Sequence, residues 1–234
     1  MYWRKIFLSV LATAIVVSAI IGVVERRNFT NLTAGEDFMD NFDMWLLPSD
    51  LALLMEETYH EEVVPHANII IRAKGTDKID IGFQLTRQWV VVEEVFKDDS
   101  RNLNVGDEIS VHDLSWAFFF NFNGVTSANM FNNFMKQGDE YLIFLDHLVT
   151  PLERWNPPSY QLTDGGIISP VFNYENTENI IPDNPIVEED LLARVPYKEV
   201  QYNEFFVDSE DALGAMESLK HSLLQLYPKG SSDS

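Results

Sequence analysis

Hydrophobic positions first appear as one unbroken run. Residues 6–24 (IFLSVLATAIVVSAIIGVV) carry no charge. A helix over them reaches roughly 28 Å, close to the ~30 Å hydrocarbon core of a bilayer. Backbone polar groups in lipid must bond within their own segment, so a spanning stretch is helical. Arg4, Lys5, Arg26 and Arg27 bracket the run, and Tyr2 and Trp3 sit where amphipathic rings favour the interface. A cleaved signal peptide has a shorter apolar region followed by a small-x-small site. Here Ile20, Ile21, Val23 and Val24 fill the corresponding positions, so a retained transmembrane anchor is expected. The N-terminal amine and Glu25 tip the orientation towards a cytoplasmic N-terminus, with the remainder extracytoplasmic.

Past the run, the period changes. Residues 28–48 show no sustained pattern and read as a tether. Pro48, Ser49 and Asp50 are a helix-start signal with Ser49 as N-cap, for a helix to about Thr58. Residues 66–74 read as a strand, 75–78 as a turn, and 78–86 as a second strand. In the second, Ile79, Ile81, Phe83 and Leu85 alternate with polar residues. Residues 88–97, 107–113 and 140–145 add three more strands, and 160–162 and 167–174 add strand near the end. Residues 175–190 are acidic, interrupted by proline and expected to be irregular. A last helix is expected over 209–227, capped by Asp208 or Ser209, with Leu213, Met216, Leu219 or Lys220, Leu223 and Leu226 forming an apolar stripe.

Short alternating strands framed by an early and a late helix predict a mainly β fold with flanking helices. A small antiparallel barrel satisfies that pattern better than a parallel sheet. The expected order is an anchor over 1–27, a tether over 28–48 and a barrel over 49–175. An acidic irregular segment over 176–208 and a C-terminal amphipathic helix over 209–227 complete it.

Composition narrows the function. With 46% hydrophobic and 23% charged residues, the chain is of ordinary globular type. It has no cysteine, which excludes a disulfide scaffold, thiolate metal sites and a thiol nucleophile, and fits a Gram-positive bacterium. The formal net charge is -21. Four of the 16 basic residues flank the apolar run, while Glu25 alone among the 37 acidic residues precedes Arg27. The part beyond the anchor therefore repels nucleic acid and anionic headgroups.

Candidate chemistry is sparse. His60, His66, His112, His147 and His221 make no H-x-x-x-H or H-E-x-x-H spacing, so no metal site is expected. Residues 98–109 superficially resemble a calcium loop, but Leu103 and Ile109 replace the required Gly and Glu. No G-x-S-x-G elbow, S-x-x-K pair or phosphate loop is present, so neither catalysis nor a cofactor is expected. The most distinctive segment is 116–124 (WAFFFNFNG), followed by Met130, Phe131, Phe134 and Met135. The last four form two i,i+4 pairs, so a short helix there presents one Phe–Met surface. Aromatics more often complete a core. Even so, the aromatics of 116–122 cannot all face inward from one strand. Trp116, Phe118, Phe120, Phe122, Phe131 and Phe134 are accordingly the candidate partner contacts.

Three stretches carry a family resemblance: 89–95 (WVVVEEV), 105–111 (VGDEISV) and 138–145 (GDEYLIFL). Together they resemble a pattern of uncharacterised membrane-anchored extracytoplasmic proteins of Gram-positive bacteria. The pattern is similar to the OB-type barrel of tissue inhibitors of metalloproteinases. The resemblance implies a five-stranded OB-like barrel over about 66–145 and brings no active site with it. Together these readings predict a cell-envelope binding module for a peptide, glycan or partner protein. The competing reading is an envelope hydrolase or an inhibitor of an envelope protease. A cleft holding His112 or His147 with a hydrogen-bonded carboxylate would favour it.

Overall fold

The computed structural model describes residues 37–81, 86–113, 118–122, 125–149, 157–175, 178–188 and 192–230, with Trp3 and Ser18 ahead of them. The expected anchor over 6–24, Ser18 apart, lies outside the described residues. Among those described, no helix is long and apolar enough to cross a membrane. Residues 39–234 form one compact unit, distinct from 1–38.

Within that unit, ten strands are found among the described residues: β1 Asp43–Trp45, β2 Ile69–Ile81, β3 Thr86–Asp98, β4 Glu108–Asp113, β5 Phe118–Phe122, β6 Val125–Asn129, β7 Glu140–Leu148, β8 Ser159–Leu162, β9 Val171–Asn173 and β10 Arg194–Pro196. Five of them close a barrel in the order β2-β3-β4-β8-β7, with β7 returning to pair with β2. All contacts around the ring are antiparallel except β4–β8, which is parallel. Closure leaves these strands without open edges. One edge of β7 carries β2. Its other edge is shared, with β9 pairing at Tyr141–Ile143 and β8 at Leu145 and Leu148.

The sequence of β7 explains its place. Tyr141, Leu142, Ile143, Phe144 and Leu145 are all buried, so both faces of the strand are covered. Leu142 and Phe144 join the main core with Ile70, Met55, Tyr59, Phe172, Met216, Leu219 and Leu223. The alternate residues, Ile143 and Leu145, lie on the opposite face of the sheet.

Two strands were expected over 66–86 with a turn at 75–78. Instead β2 runs through that stretch to Ile81, with an irregular register between Gly75 and Ile79. Gly75 serves a close approach. A Cβ there would lie 2.5 Å from the Lys136 carbonyl oxygen. The Gly75 amide donates to the Asp139 carbonyl, and the Gly138 amide donates back to Gly75. At the far end of this pairing Ile81 is opposite Thr86. Phe83 and Leu85 of the expected alternation lie outside the described residues.

A second sheet, β10-β1-β6-β5, gathers strands from distant parts of the chain. Two expectations are corrected here. The tether was placed over 28–48, yet Met44, Leu46 and Leu47 are fully buried and β1 pairs with both β6 and β10. The segment over 176–208 was expected to be irregular, yet it supplies β10 and the buried Phe205, Phe206 and Val207. Both stretches are short and covered on two sides, so neither shows an amphipathic period. Arg194, itself buried, fastens the second sheet through Asp43 at 3.1 Å and Glu188 at 2.6 Å.

The early helix spans Ser49–Thr58 and widens into a π-turn over Tyr59–Val63. Its N-cap is Pro48, with no side-chain cap, in place of the expected Ser49. The C-terminal helix spans Glu210–Leu226, and the Ser209 hydroxyl caps it by accepting from the Ala212 amide at 3.3 Å. Its buried stripe is Ala212, Ala215, Met216, Leu219 and Leu223. Leu226 is 56% exposed, outside the stripe expected for it.

Beyond that helix, Tyr227 packs its ring on Phe96 and Phe144 at 5.4 and 5.8 Å. Lys229 reaches Glu140 at 3.2 Å, and Glu140 also pairs with Arg72 on β2. Burial works against the Glu140 carboxylate, but hydrogen bonds from Arg72 and Lys229 outweigh it and hold its pKa below the ordinary 4.5. A depressed carboxyl stabilises the fold fully above its unfolded pKa, and that contribution disappears as pH falls through the folded one. The melting temperature is therefore expected to fall as pH drops from about 5 to about 3. Glu140→Gln is expected to make that fall shallower, which thermal unfolding across pH measures.

Candidate binding surfaces

The aromatic segment forms the β5–β6 hairpin, with Phe118 opposite Asn129 and Phe122 opposite Val125. β6 is flanked on its other side by β1, so β6 is internal to its sheet. β5 stands at the sheet edge and pairs, among the described residues, with β6 alone. Its sequence, FFFNF, has no charge and no proline, the usual devices that keep an edge from pairing further. Phe118, Phe120 and Phe122 share one face of the strand, with Phe119 and Asn121 on the other. The backbone of β5 is described and these side chains are not. Trp116 lies outside the described residues.

The adjoining stretch differs from expectation. Residues 130–135 form no helix, so the i,i+4 surface does not exist. The chain is extended and pairs with 203–206. The Asn133 amide donates to the Glu204 carbonyl, and the Phe206 amide donates to the Phe131 carbonyl. Met130, Phe131 and Met135 are buried, and Phe131 belongs to the main core. Its candidacy as a partner contact is thereby corrected, since a side chain inside the core cannot meet a partner. Phe134 is half-buried. The pairing partner lies some seventy residues downstream in sequence, which no local pattern reveals.

Buried amides hold this region. The Asn132 side chain donates to the carbonyls of Ser169 and Val171 and accepts from the Ser169 amide. Asn133 donates to Gln201 and Asn203 carbonyls and accepts from the Phe134 amide and the Tyr197 hydroxyl. Asn173 presents its backbone amide to Glu204, whose other oxygen pairs with Lys220 at 2.5 Å. These groups spend their polar atoms on each other, as buried polar groups must. They are fastenings between loops and barrel.

The histidines form no catalytic array among the described residues. His112 is buried, with Nδ1 2.9 Å from the Ser159 hydroxyl. Burial, then Arg87 and His147, lowers its pKa below 6.5 and favours the neutral ring. His147 does meet a carboxylate, Asp146, at 2.7 Å. The two are chain neighbours, and the histidine side chain is 60% exposed. No group of acidic and histidine side chains suited to a metal ion occurs among the described residues.

Among the open polar clefts of the described residues, two from distant segments were not foreseen. One, of about 380 Å³, is lined by Lys136, Asp139, Asn173, Glu175, Glu199 and Tyr202, among others. The other, of about 430 Å³, lies between the π-turn and the ends of β7 and β8, and is lined by Thr58, Glu62, His66, Asp146, Thr163, Asp164 and Gly166. Each gathers residues scattered along the chain, so no spacing could have marked them.

Fold and surfaces together define a mainly β protein, a closed five-stranded barrel with flanking helices and a second sheet. No protein-family model matches the chain, and no curated protein matches it.

Phe131→Ala separates core from contact. As a core residue it is expected to cost about 3–5 kcal/mol in urea-induced unfolding. A surface contact would cost within about 0.5 kcal/mol.

Proposed function

We propose that the protein is a non-enzymatic binding module of the cell envelope, anchored by a helix over 6–24 with its barrel on the extracytoplasmic side. In this reading β5 captures an extended segment of a neighbouring envelope protein by adding it as a further strand. The observation that carries the reading is the edge position of β5 combined with its charge-free, aromatic sequence. Main-chain hydrogen bonds supply affinity in such strand addition, and alternate side chains supply specificity.

The ring order β2-β3-β4-β8-β7 supports reading the barrel as OB-type, since that fold is a five-stranded Greek-key barrel used for binding. The resemblance to extracytoplasmic proteins of Gram-positive bacteria points the same way. The chain lacks the cysteines that clamp the metalloproteinase inhibitors, so the likeness extends to architecture and not to inhibition. The net charge of -21 opposes pairing with a second copy and favours a partner that is neutral or basic.

A photo-crosslinking residue at Phe119, in full-length protein in native membranes, tests the capture. One predominant adduct is expected, reduced at least tenfold by Asn121→Lys with the melting temperature unchanged. An adduct that persists undiminished overturns the reading. For the anchor, deletion of residues 1–27 is expected to move the protein from the membrane pellet to the soluble fraction. Continued pelleting of the truncated chain counts against it.

A further inference from the structure

Three side chains from separate segments meet where the stretch after β9 passes the C-terminal helix. Lys220 belongs to that helix, and its Nζ donates to Glu204 Oε2 at 2.5 Å and to the Glu175 carbonyl at 3.1 Å. Both side chains of the ion pair are largely covered, at 13% and 7% exposure. The second Glu204 oxygen accepts from the Asn173 amide at 2.8 Å, which fixes the carboxylate in place.

Asn179 stands beside the same glutamate. Its Oδ1 accepts from the Glu204 amide at 2.8 Å and from the Phe205 amide at 3.2 Å. Two N–H donors aimed at one atom assign it as the carboxamide oxygen. Asn203 keeps this stretch in register, since its side chain accepts from the Ile180 amide at 3.1 Å and donates to the Ile180 carbonyl at 2.7 Å. Asn179 and Lys220 line one cleft, of about 380 Å³, with Tyr174, Phe205 and Leu224 among its other walls.

Each part has a chemical counterpart. Two convergent backbone N–H groups polarise the Asn179 carbonyl and stabilise negative charge on its oxygen, as an oxyanion hole does. A lysine amine is a nucleophile once it has lost its proton. Glu204, within hydrogen-bond reach of Nζ, is placed to take that proton. These contacts also fasten the loop, and what distinguishes them is that amine, proton acceptor and polarised carboxamide share one place.

We propose that Lys220 and Asn179 join in an intramolecular isopeptide bond, with Glu204 relaying the protons. Nζ attacks Cγ, so that the Nζ–Cγ bond forms and the Cγ–Nδ2 bond breaks. Nζ sheds two protons on going from ammonium to amide. Glu204 passes them to Nδ2, which departs as ammonium with the electron pair of the broken bond. Nothing is oxidised or reduced, and no co-reactant is consumed. The bond ties the acidic stretch after β9 to the C-terminal helix.

Mass spectrometry of the full-length protein, purified in neutral detergent, tests it. The chain is expected to weigh about 17 Da less than its sequence requires, the loss of one ammonia. Trypsin does not cut after an acylated lysine, so digestion should yield residues 155–194 joined to 199–229. That joined peptide is read from the unaltered protein, whatever the folding of any variant. Lys220→Arg and Asn179→Ala should each restore the full mass. Glu204→Gln, which keeps the size of the side chain, should leave at least about tenfold less of the joined peptide. The proposal is overturned if the two peptides occur only separately. It is also overturned if the deficit survives Lys220→Arg, which would assign the loss to cyclisation of an asparagine elsewhere. A joined peptide undiminished in Glu204→Gln overturns the role of the glutamate.

Discussion

The pairing of β7 with β2 is the constraint on which the rest of this protein depends. It joins Ile69 to Leu145 and Lys74 to Glu140, closing the ring that β3, β4 and β8 leave open. Without it, β2 and β7 would each present an unpaired edge. With it, one face of β7 turns inward and the other becomes the floor for Tyr59, Met216 and Leu223. The two helices therefore pack against one face of the closed barrel. Tyr227 and Lys229 then fasten the C-terminal end to the same strands, through Phe144 and Glu140.

Polar groups do much of the joining between the barrel and its additions. Side chains of Asn132, Asn133, Asn173 and Asn203 hold backbone groups of loops that have no strand partner of their own. Each hydrogen bond contributes modestly, but an unmet buried donor or acceptor is costly. Such a network selects one arrangement of the loops over its alternatives. The surface follows a different logic. With 37 acidic against 16 basic residues, the chain carries a net negative field.

Elements with local cause were legible from the chain. The C-terminal helix has a cap at Asp208 or Ser209, an acidic first turn and an apolar stripe close together, so its position and the buried Met216, Leu219 and Leu223 could be read directly. The strand at 108–113 was legible from the alternation of Ile109 and Val111 with polar residues, and that at 140–148 from its apolar run. The turn expected at 75–78 was misread because Gly75 answers to the Lys136 backbone, a neighbour far along the chain. The helix expected at 130–135 failed for the same kind of reason, since Phe131 and Asn133 take their hydrogen bonds from 204–206.

By itself, then, the sequence determined a mainly β fold with helices at either end, an acidic surface and the exclusion of cysteine chemistry. Those properties follow from composition and from periods of two and 3.6 residues, which act within a few positions. Only the tertiary structure decided that 43–47 and 194–207 belong to the folded core, that Phe131 is interior and that the carboxylates around Thr163 share a cleft. Short, doubly covered strands carry no amphipathic signature, and a cleft is a meeting of side chains from separate segments. Closure of the barrel creates both.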